Sequence, residues 1–556
     1  MNEHVFWIIL KRLRVPFLVL VITFAVSIIG LILIPGMDDN GHEYHMTFFD
    51  AFYFVSYMAS TIGFGEAPYT FTYPQRIWVS ANIYLTVVGW FYGIGTIVSI
   101  VQDEALKKAI SRNRFAKQVK GLGGKFFIIL GYNSVTKSII NRINNDDYRV
   151  VVIERNEQKI EELILEDFYP HVPAYTGEAT KLQMLKMAGI HQKNCVGVIS
   201  LFADDTKNTQ IATICKLLNK NVDVIVKASS QQHLEHFKSM DLKHVQDPFD
   251  IISKRIFYSI TAPHIWLLEM WMYGHSLKLR NRDMFPKGRY ILCGYGQMGH
   301  AIERGLQKAG IDYVLYNINS KKYAKEKGTT IYGDNEDIQK LLDLGVKESA
   351  CIIATTKDDL LNLTILNKAK SLNPNIFTVA RENSLEELNI FKAAKINKIY
   401  VLEQILADAT YNHLAKPLSE AFINEVRKKD EDWAKIIVNM LNNMTGVNPN
   451  YFEIVVDEEN MYALSLELEK GNKVTLSNIR RSRENREEIL HIVYLILKRD
   501  GQIYLMPDGD IELRLGDELL IVADDENRED FEYITNNIYE LNYVLGLEDS
   551  KIFHKV

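Results

Sequence analysis

The sequence predicts an α-helical module with two membrane spans, then two tandem α/β domains with parallel, doubly wound sheets, then a small β-rich α+β subdomain. Three observations predict it. Two uncharged apolar runs, residues 15–35 and 77–101, lie near the start. A strand–glycine turn–helix pattern occurs twice, opening at Lys125 and again at Gly288. Residues 452–525 are rich in short strand-like runs. The chain has 556 residues, 47% of them apolar, which at roughly 150 residues per domain is enough for three or four packed units. A net charge of −6 gives no global basic signature, so no nucleic acid is expected as a partner. Cys195, Cys215, Cys293 and Cys351 show no CxxC spacing and sit in apolar runs, as reduced core thiols do.

The two runs are 21 and 25 residues long, and a ~30 Å hydrocarbon core takes about 20 helical residues. The first exceeds the apolar core of a signal peptide, and no small-residue cleavage site follows it. Lys11, Arg12 and Arg14 precede the first run; Lys107, Lys108, Arg112, Arg114, Lys117 and Lys120 follow the second. Residues 36–75 between them hold no Lys or Arg and five acids. The positive-inside rule therefore predicts a multi-pass protein with both termini cytoplasmic and the connecting loop outside.

That loop carries a third apolar run that is too short to span, predicting a re-entrant helix over 47–60. Where it stops comes Thr61-Ile62-Gly63-Phe64-Gly65-Glu66. Backbone carbonyls aimed at one axis can replace an ion's hydration shell. Such a backbone needs angles that glycine adopts without a Cβ penalty. Thr61 adds a hydroxyl oxygen, and Phe64 would wedge the wall from behind. The stretch resembles the TVGYG signature, followed by Asp, of potassium channels. Span, short helix, filter and span is the layout of a two-transmembrane potassium channel subunit. Ile62 stands for Val, Phe64 for Tyr and Glu66 for Asp; the last two leave a weakly selective cation channel as an alternative. Gly93-Ile94-Gly95-Thr96 resembles the glycine hinge of such inner helices, with Gly89 as a rival and helix packing as the other reading.

The repeats open KFFIILGYNSVTKSI (125–139) and GRYILCGYGQMGHAI (288–302). Each is followed by a second strand-like run, and Gly131 to Glu154 and Gly294 to Asn317 are both 23 residues apart. Alternating strands and helices predict parallel sheets. The first turn is where a dinucleotide would bind, since glycines let the backbone approach a pyrophosphate and the helix N-terminus adds its dipole. The second copy has GxGxxG as Gly294, Gly296 and Gly299; the first has Gly131, Asn133 and Thr136. The acid that would take ribose hydroxyls is Glu154 in the first copy and Asn317 in the second. An adenine nucleotide, NAD or ADP, is expected on the second copy, and more weakly on the first. The other reading is two vestigial folds that hold structure only.

The tandem resembles the RCK domains, regulators of potassium conductance, of ligand-gated prokaryotic channels and of Trk/Ktr uptake regulators. The resemblance implies a pore domain over 1–102 (spans 15–35 and 77–101, pore helix 47–60, filter 61–66) and a linker over 103–124. It implies RCK Rossmann-like domains over 125–287 and 288–430 and a C-terminal ligand-binding subdomain over 431–556. Residues 247–274 would be the crossover helices through which domains clasp. Arg381 and Lys227 would contact phosphate. Four chains would form one pore in the lipid of a prokaryotic inner membrane, with K+ as permeant ion and a ring of eight domains as the sensor. Ca2+ is a further ligand the resemblance allows. Asp204-Asp205, Asp358-Asp359 and Asp508/Asp510 are its candidates, a solvated acidic face the plainer reading, and no EF-hand is present. The rival class is a membrane-anchored NAD-dependent oxidoreductase, for which no His–Asp or Tyr–Lys pair is commended by spacing. A transporter regulator would lack a pore of its own.

Overall fold

The computed structural model describes residues 3–143, 148–242, 244–274, 279, 284–317, 330–332, 338–383, 388–445 and 449–547. The chain divides into two compact units, Met1–Gly123 with Pro173–Tyr175, and the remainder.

In the first unit α1 (Glu3–Leu33), α2 (Phe48–Ala59), α3 (Tyr73–Gln102) and α4 (Glu104–Lys120) follow in order. The 24-residue stretch Leu10–Leu33 and the 30 residues of α3 are long and apolar enough to cross a membrane. α2 has 12 residues, about 18 Å of helix, and cannot. Sequence places its start well, because Thr47 and Asp50 form a capping box (the Asp50 N–H donates to Thr47 Oγ1 at 3.2 Å and the Thr47 N–H to Asp50 Oδ2 at 3.3 Å). α3 begins four residues before the predicted span, at a second Thr–Gln box, Thr72 and Gln75, with Pro74 in the first turn. α1 ends at Leu33, two residues before Pro35, as the restricted residue before a proline favours.

Small and polar residues bring α1 and α3 together. A Cβ on Gly30 would lie 2.0 Å from the Trp78 ring, and one on Gly89 would lie 2.9 Å from Thr23 Oγ1. The buried Ser27 hydroxyl donates to Asn82 Oδ1 at 3.2 Å. Such seams let helices associate without a hydrophobic drive.

The first parallel sheet is built from β1 (Phe126–Leu130), β2 (Arg149–Glu154), β3 (Ala174–Thr176), β4 (Cys195–Ser200), β5 (Asp223–Lys227) and β6 (His244–Gln246), in spatial order 3-2-1-4-5-6. Its helices are α5 (Ser134–Ile143), α6 (Glu157–Leu165), α7 (Leu182–Met187), α8 (Asp205–Leu218) and α9 (Gln231–Ser239). α10 (Pro248–Thr261) and α11 (Pro263–Met272) follow.

The second sheet repeats the topology with β7 (Tyr290–Cys293), β8 (Tyr313–Asn317), β9 (Thr330–Tyr332), β10 (Cys351–Ala354), β11 (Phe377–Glu382) and β12 (Lys398–Val401), in order 9-8-7-10-11-12. Between its strands run α12 (Gln297–Lys308), α13 (Ile338–Asp343), α14 (Asp359–Leu372) and α15 (Leu388–Ala393), and α16 (Leu402–Ala415), α17 (Pro417–Val426) and α18 (Glu431–Thr445) follow. All described pairings in both sheets are parallel, and the central strands are apolar on both faces, as sheets covered by helices require. The chain ends in β13 (Asn450–Val455), α19 (Tyr462–Glu469), β14 (Val493–Arg499), β15 (Gln502–Leu505), β16 (Glu518–Ala523), α20 (Asp525–Asn536) and α21 (Ile538–Leu545); its antiparallel sheet runs 13-16-14-15.

The helix after each repeat packs on the other repeat. α10 lies on α12, where a Cβ on Gly305 would lie 2.7 Å from the Ser253 carbonyl, and Ile252 and Ile256 join the core of Tyr290, Leu292 and Met298. α16 returns to α5, tied by Arg142 to the fully buried Asp408 at 2.6 Å. α11 enters the C-terminal core beside Phe422, Leu441 and Val522, with Trp271 Nε1 donating to the Pro449 carbonyl at 3.0 Å.

Candidate functional sites: a loop after a short helix and two glycine turns

The loop that follows α2 alternates in handedness. Thr61, Gly63 and Gly65 have φ of 62°, 68° and 95°, while Ile62 and Phe64 stay outside the left-handed region. Alternation of this kind turns successive carbonyls toward one side, where a uniform strand would alternate them. Thr61 is a β-branched residue at positive φ, a conformation that needs surrounding support. The support comes from the end of α2: the N–H groups of Ile62 and Gly63 both point to the Tyr57 carbonyl, at 3.0 and 3.4 Å, and that of Thr61 to the Met58 carbonyl at 3.1 Å. Among the described residues the carbonyls of Thr61 to Phe64 accept no hydrogen bond.

Two residues of this site escaped the sequence reading. Tyr57 Oη donates to the Gly65 carbonyl at 2.5 Å, and its ring meets Phe64 edge-on with centroids 5.4 Å apart. A hydroxyl thus reaches the loop from the helix behind it, although Phe64 brings none. Arg76 holds Glu66 with two bonds (Nε 2.8 Å, Nη2 3.0 Å), and Glu66 also accepts the Phe71 N–H at 2.9 Å. The longer side chain of Glu66 reaches back to α3 rather than standing free beside the loop. Arg76 sits one residue past the stretch without Lys or Arg, the one signal that would have found it. Of the two hinge candidates, Gly89 lacks a side chain because Thr23 fills its space, whereas a Cβ on Gly93 would meet nothing within 4 Å.

The glycine turn of the second repeat is open. Gly294 has φ 94° and donates to the Tyr316 carbonyl at 2.9 Å. A Cβ on Gly299 would lie 2.3 Å from the Gly294 carbonyl, so this glycine lets α12 close on β7. A Cβ on Gly296 would meet nothing within 4 Å, and Gly296 caps α12 with no side chain to take the helix's first N–H groups. The three positions divide as turn, open approach and close packing, the division a pyrophosphate-binding turn requires. Asn317 ends β8, and its side chain lies outside the described residues.

The turn of the first repeat is filled from within. Gly131 has φ 91°, and the Phe202 ring stands 2.9 Å from where its Cβ would be, as Thr355 Oγ1 does at Gly294. Asn133 Oδ1 takes the Thr136 N–H at 3.0 Å, and Thr136 Oγ1 takes the Asn133 N–H at 2.8 Å. Glu154 accepts from the N–H groups of Tyr132 and Asn156, both at 2.7 Å. The donors that a phosphate would use are occupied by the protein's own side chains.

The family model of the TrkA-N domain matches residues 127–248 and 290–402. Each matched stretch coincides with one of the two parallel-sheet domains. It is 26% identical over 283 residues to "Potassium channel protein 1" of Methanocaldococcus jannaschii, 51% of this chain and 78% of that protein. It is 20% identical over 318 residues to an uncharacterized protein of Methanothermus fervidus, 56% of this chain and 49% of that one. The chain thus spans about half the length of the latter relative. A solved structure titled "GsuK channel bound to NAD" aligns over 95% of this chain and 99% of its own, at 15% identity and a TM-score of 0.49.

Lys227 and Arg381 end the equivalent strands of the two TrkA-N domains, β5 and β11. Arg381 is buried with its Nε unpartnered among the described residues; burial pulls its pKa down and Asp359 opposes that. Burial likewise lowers Lys227, against Asp205 and Asp247. The acid pairs named as calcium candidates have structural employment of their own. Asp204 caps α8 and Asp358 caps α14, while Asp205 and Asp359 accept the N–H groups of Ser229 (2.9 Å) and Asn383 (3.1 Å). Buried Asn208 and Asn362 complete each device, donating to the Lys227 carbonyl at 2.9 Å and the Arg381 carbonyl at 3.1 Å. The shared signal is Asp-Asp-x-x-Asn, present in both copies. In the third candidate Asp508 accepts the Asp510 N–H at 3.3 Å, closing a local turn.

Proposed function

We propose that the chain is the subunit of a potassium channel, four copies forming one pore, opened or closed by an adenine nucleotide on its second TrkA-N domain. The observation that carries this reading is the alternating backbone of Thr61–Gly65, with its N–H groups turned to α2, between two helices long enough to span a membrane. Carbonyls freed in this way can replace the water of a dehydrated ion. The relative titled a potassium channel and the two TrkA-N domains support the same reading. Both termini lie in the cytoplasm, and residues 61–66 face the outside. NAD or ADP occupies the Gly294–Gly299 turn with Arg381 near its phosphates, and Gly131, Asn133, Glu154 and Lys227 hold nucleotide weakly or not at all. The nucleotide shifts the open–closed equilibrium by its differential affinity for the two states. Calcium is not carried into this proposal, since the acids expected to hold it cap helices and turns.

A second reading, a weakly selective cation pore, follows from Phe64, which brings no hydroxyl of its own behind the loop, and from Glu66, the longer acid at its end. One assay separates the readings. The purified chain in liposomes is tested for K+ and Na+ flux with and without ADP or NAD. Potassium-selective flux that changes with nucleotide is expected. Equal K+ and Na+ flux selects the second reading. No flux, together with turnover of NADH, returns the oxidoreductase.

A further inference from the structure

We infer that Asp223, His244 and His413 form a binding site for one divalent transition-metal ion of the zinc class, which staples the first TrkA-N domain to the helix that follows the second. Asp223 opens β5 and His244 opens β6, diagonal neighbours on one face of paired strands. His413 comes from the last turn of α16. The Nε2 atoms of His244 and His413 each lie 3.6 Å from Asp223 Oδ2, and all three ligand atoms fall within 4.8 Å of one another. Bonds of about 2.0–2.2 Å would set ligand atoms roughly 3.3 Å apart around a tetrahedral ion, so small side-chain shifts close the site. Two imidazoles with one carboxylate suit zinc, copper or nickel; calcium and magnesium prefer oxygen alone.

A second observation, independent of the cluster, is the support behind it. Glu420 Oε2 lies 2.6 Å from His413 Nδ1 and aims the other ring nitrogen at Asp223. A carboxylate behind a histidine is the usual way a metal ligand's orientation and basicity are set. Asp223 and Glu420 together supply two negative charges against one dication. Asp223 remains 39% exposed, which leaves a path for the ion and room for a water as fourth ligand. The site lies at the N-terminal ends of β5 and β6, opposite the strand ends that carry the glycine turns, so it is separate from the nucleotide site.

The test uses the full-length untagged chain, stripped with a chelator and titrated with Zn2+ against a chromogenic competitor. One Zn2+ per chain is expected, with affinity at least tenfold weaker in His244→Ala and in Asp223→Asn. Glu420→Gln should weaken it by about 10–100-fold while leaving the stoichiometry intact. Zn2+ should raise the melting temperature of the wild type and not of His244→Ala, whose metal-free melting curve reports whether it is folded. Co2+ in place of Zn2+ should give the visible bands of a four-coordinate N/O site. Failure to retain Zn2+, equal affinity in wild type and both ligand variants, or a thiolate-to-cobalt band that places the ion on a cysteine would overturn the proposal.

Discussion

Glycine does three different jobs within six residues of the second TrkA-N domain. Gly299 is needed by the fold, because a methyl group there would press on the Gly294 carbonyl at 2.3 Å. Gly296 is not, because its missing side chain faces open space. Gly299→Ala should therefore destabilise the domain by about 1–3 kcal/mol, as forced overpacking does. Gly296→Val should change stability by about 1 kcal/mol or less, the loss of a permissive cap, yet remove most ADP affinity. Thermal unfolding and calorimetry on the same two variants check the split; full ADP binding by Gly296→Val would move the ligand elsewhere. In the loop after α2, Gly63 at φ 68° has the same standing. Gly63→Ala should cost about 1–2 kcal/mol locally and abolish or de-select potassium flux. Tyr57→Phe should keep the fold and lower K+/Na+ discrimination, measured by flux. Unchanged selectivity in Tyr57→Phe would make its bond to Gly65 incidental. The glycines could be read from the sequence because a pattern at fixed spacing marks them. Phe202, which packs beside Gly131, could not: it stands 71 residues from that glycine, and no local rule joins them.

At the level of elements, a buried charged cluster joins α10, α11 and the end of α17. Glu269 on α11 is wholly buried and bonded by Arg255 Nε at 3.2 Å and Arg427 Nη2 at 2.7 Å. Burial alone would push this carboxyl up, but the charges of Arg427 and Arg255 more than offset it and hold it below its ordinary 4.5. A depressed carboxyl contributes stability that is present above its unfolded value and lost as pH falls through the lower folded value. Acid unfolding of the second unit should accordingly steepen below pH 4.5. Glu269→Ala should destabilise by about 3–5 kcal/mol at neutral pH, since two guanidiniums are left buried without an anion. Replacing all three by apolar residues should recover much of that loss and flatten the acid limb. A flat acid limb in the wild type would show that the triad does not set it. Sequence marked this region as apolar with embedded Lys254, Arg255, Pro263 and Glu269, and so as a soluble clasp rather than a span. Arg427, 158 residues beyond Glu269, was out of reach of any window.

Across the whole molecule, the repeated strand–glycine turn–helix opening and the 23-residue spacing revealed two like domains, because duplication preserves periods that need no structure to see. The exchange of α10 and α16 between the copies was not visible, since an apolar helix face does not say which neighbour covers it. The division of labour between the units leads to the last prediction. The first compact unit ends at Gly123, and its described residues include no glycine turn between a strand and a helix. Both such turns, and both Lys227 and Arg381, lie in the second unit. If the nucleotide acts only through the TrkA-N domains, a chain stopped after Gly124 should still carry K+ when reconstituted, and its flux should be indifferent to ADP and NAD. Its basal rate reports which way the ligand-free domains bias the pore: a rise over the full chain means that they hold it shut, a fall that they hold it open. Because a ligand moves a two-state equilibrium only by its differential affinity, the loss of response should be complete rather than partial. A truncated chain that answers ADP like the full one would place the nucleotide's action in the membrane unit and remove the TrkA-N domains from gating.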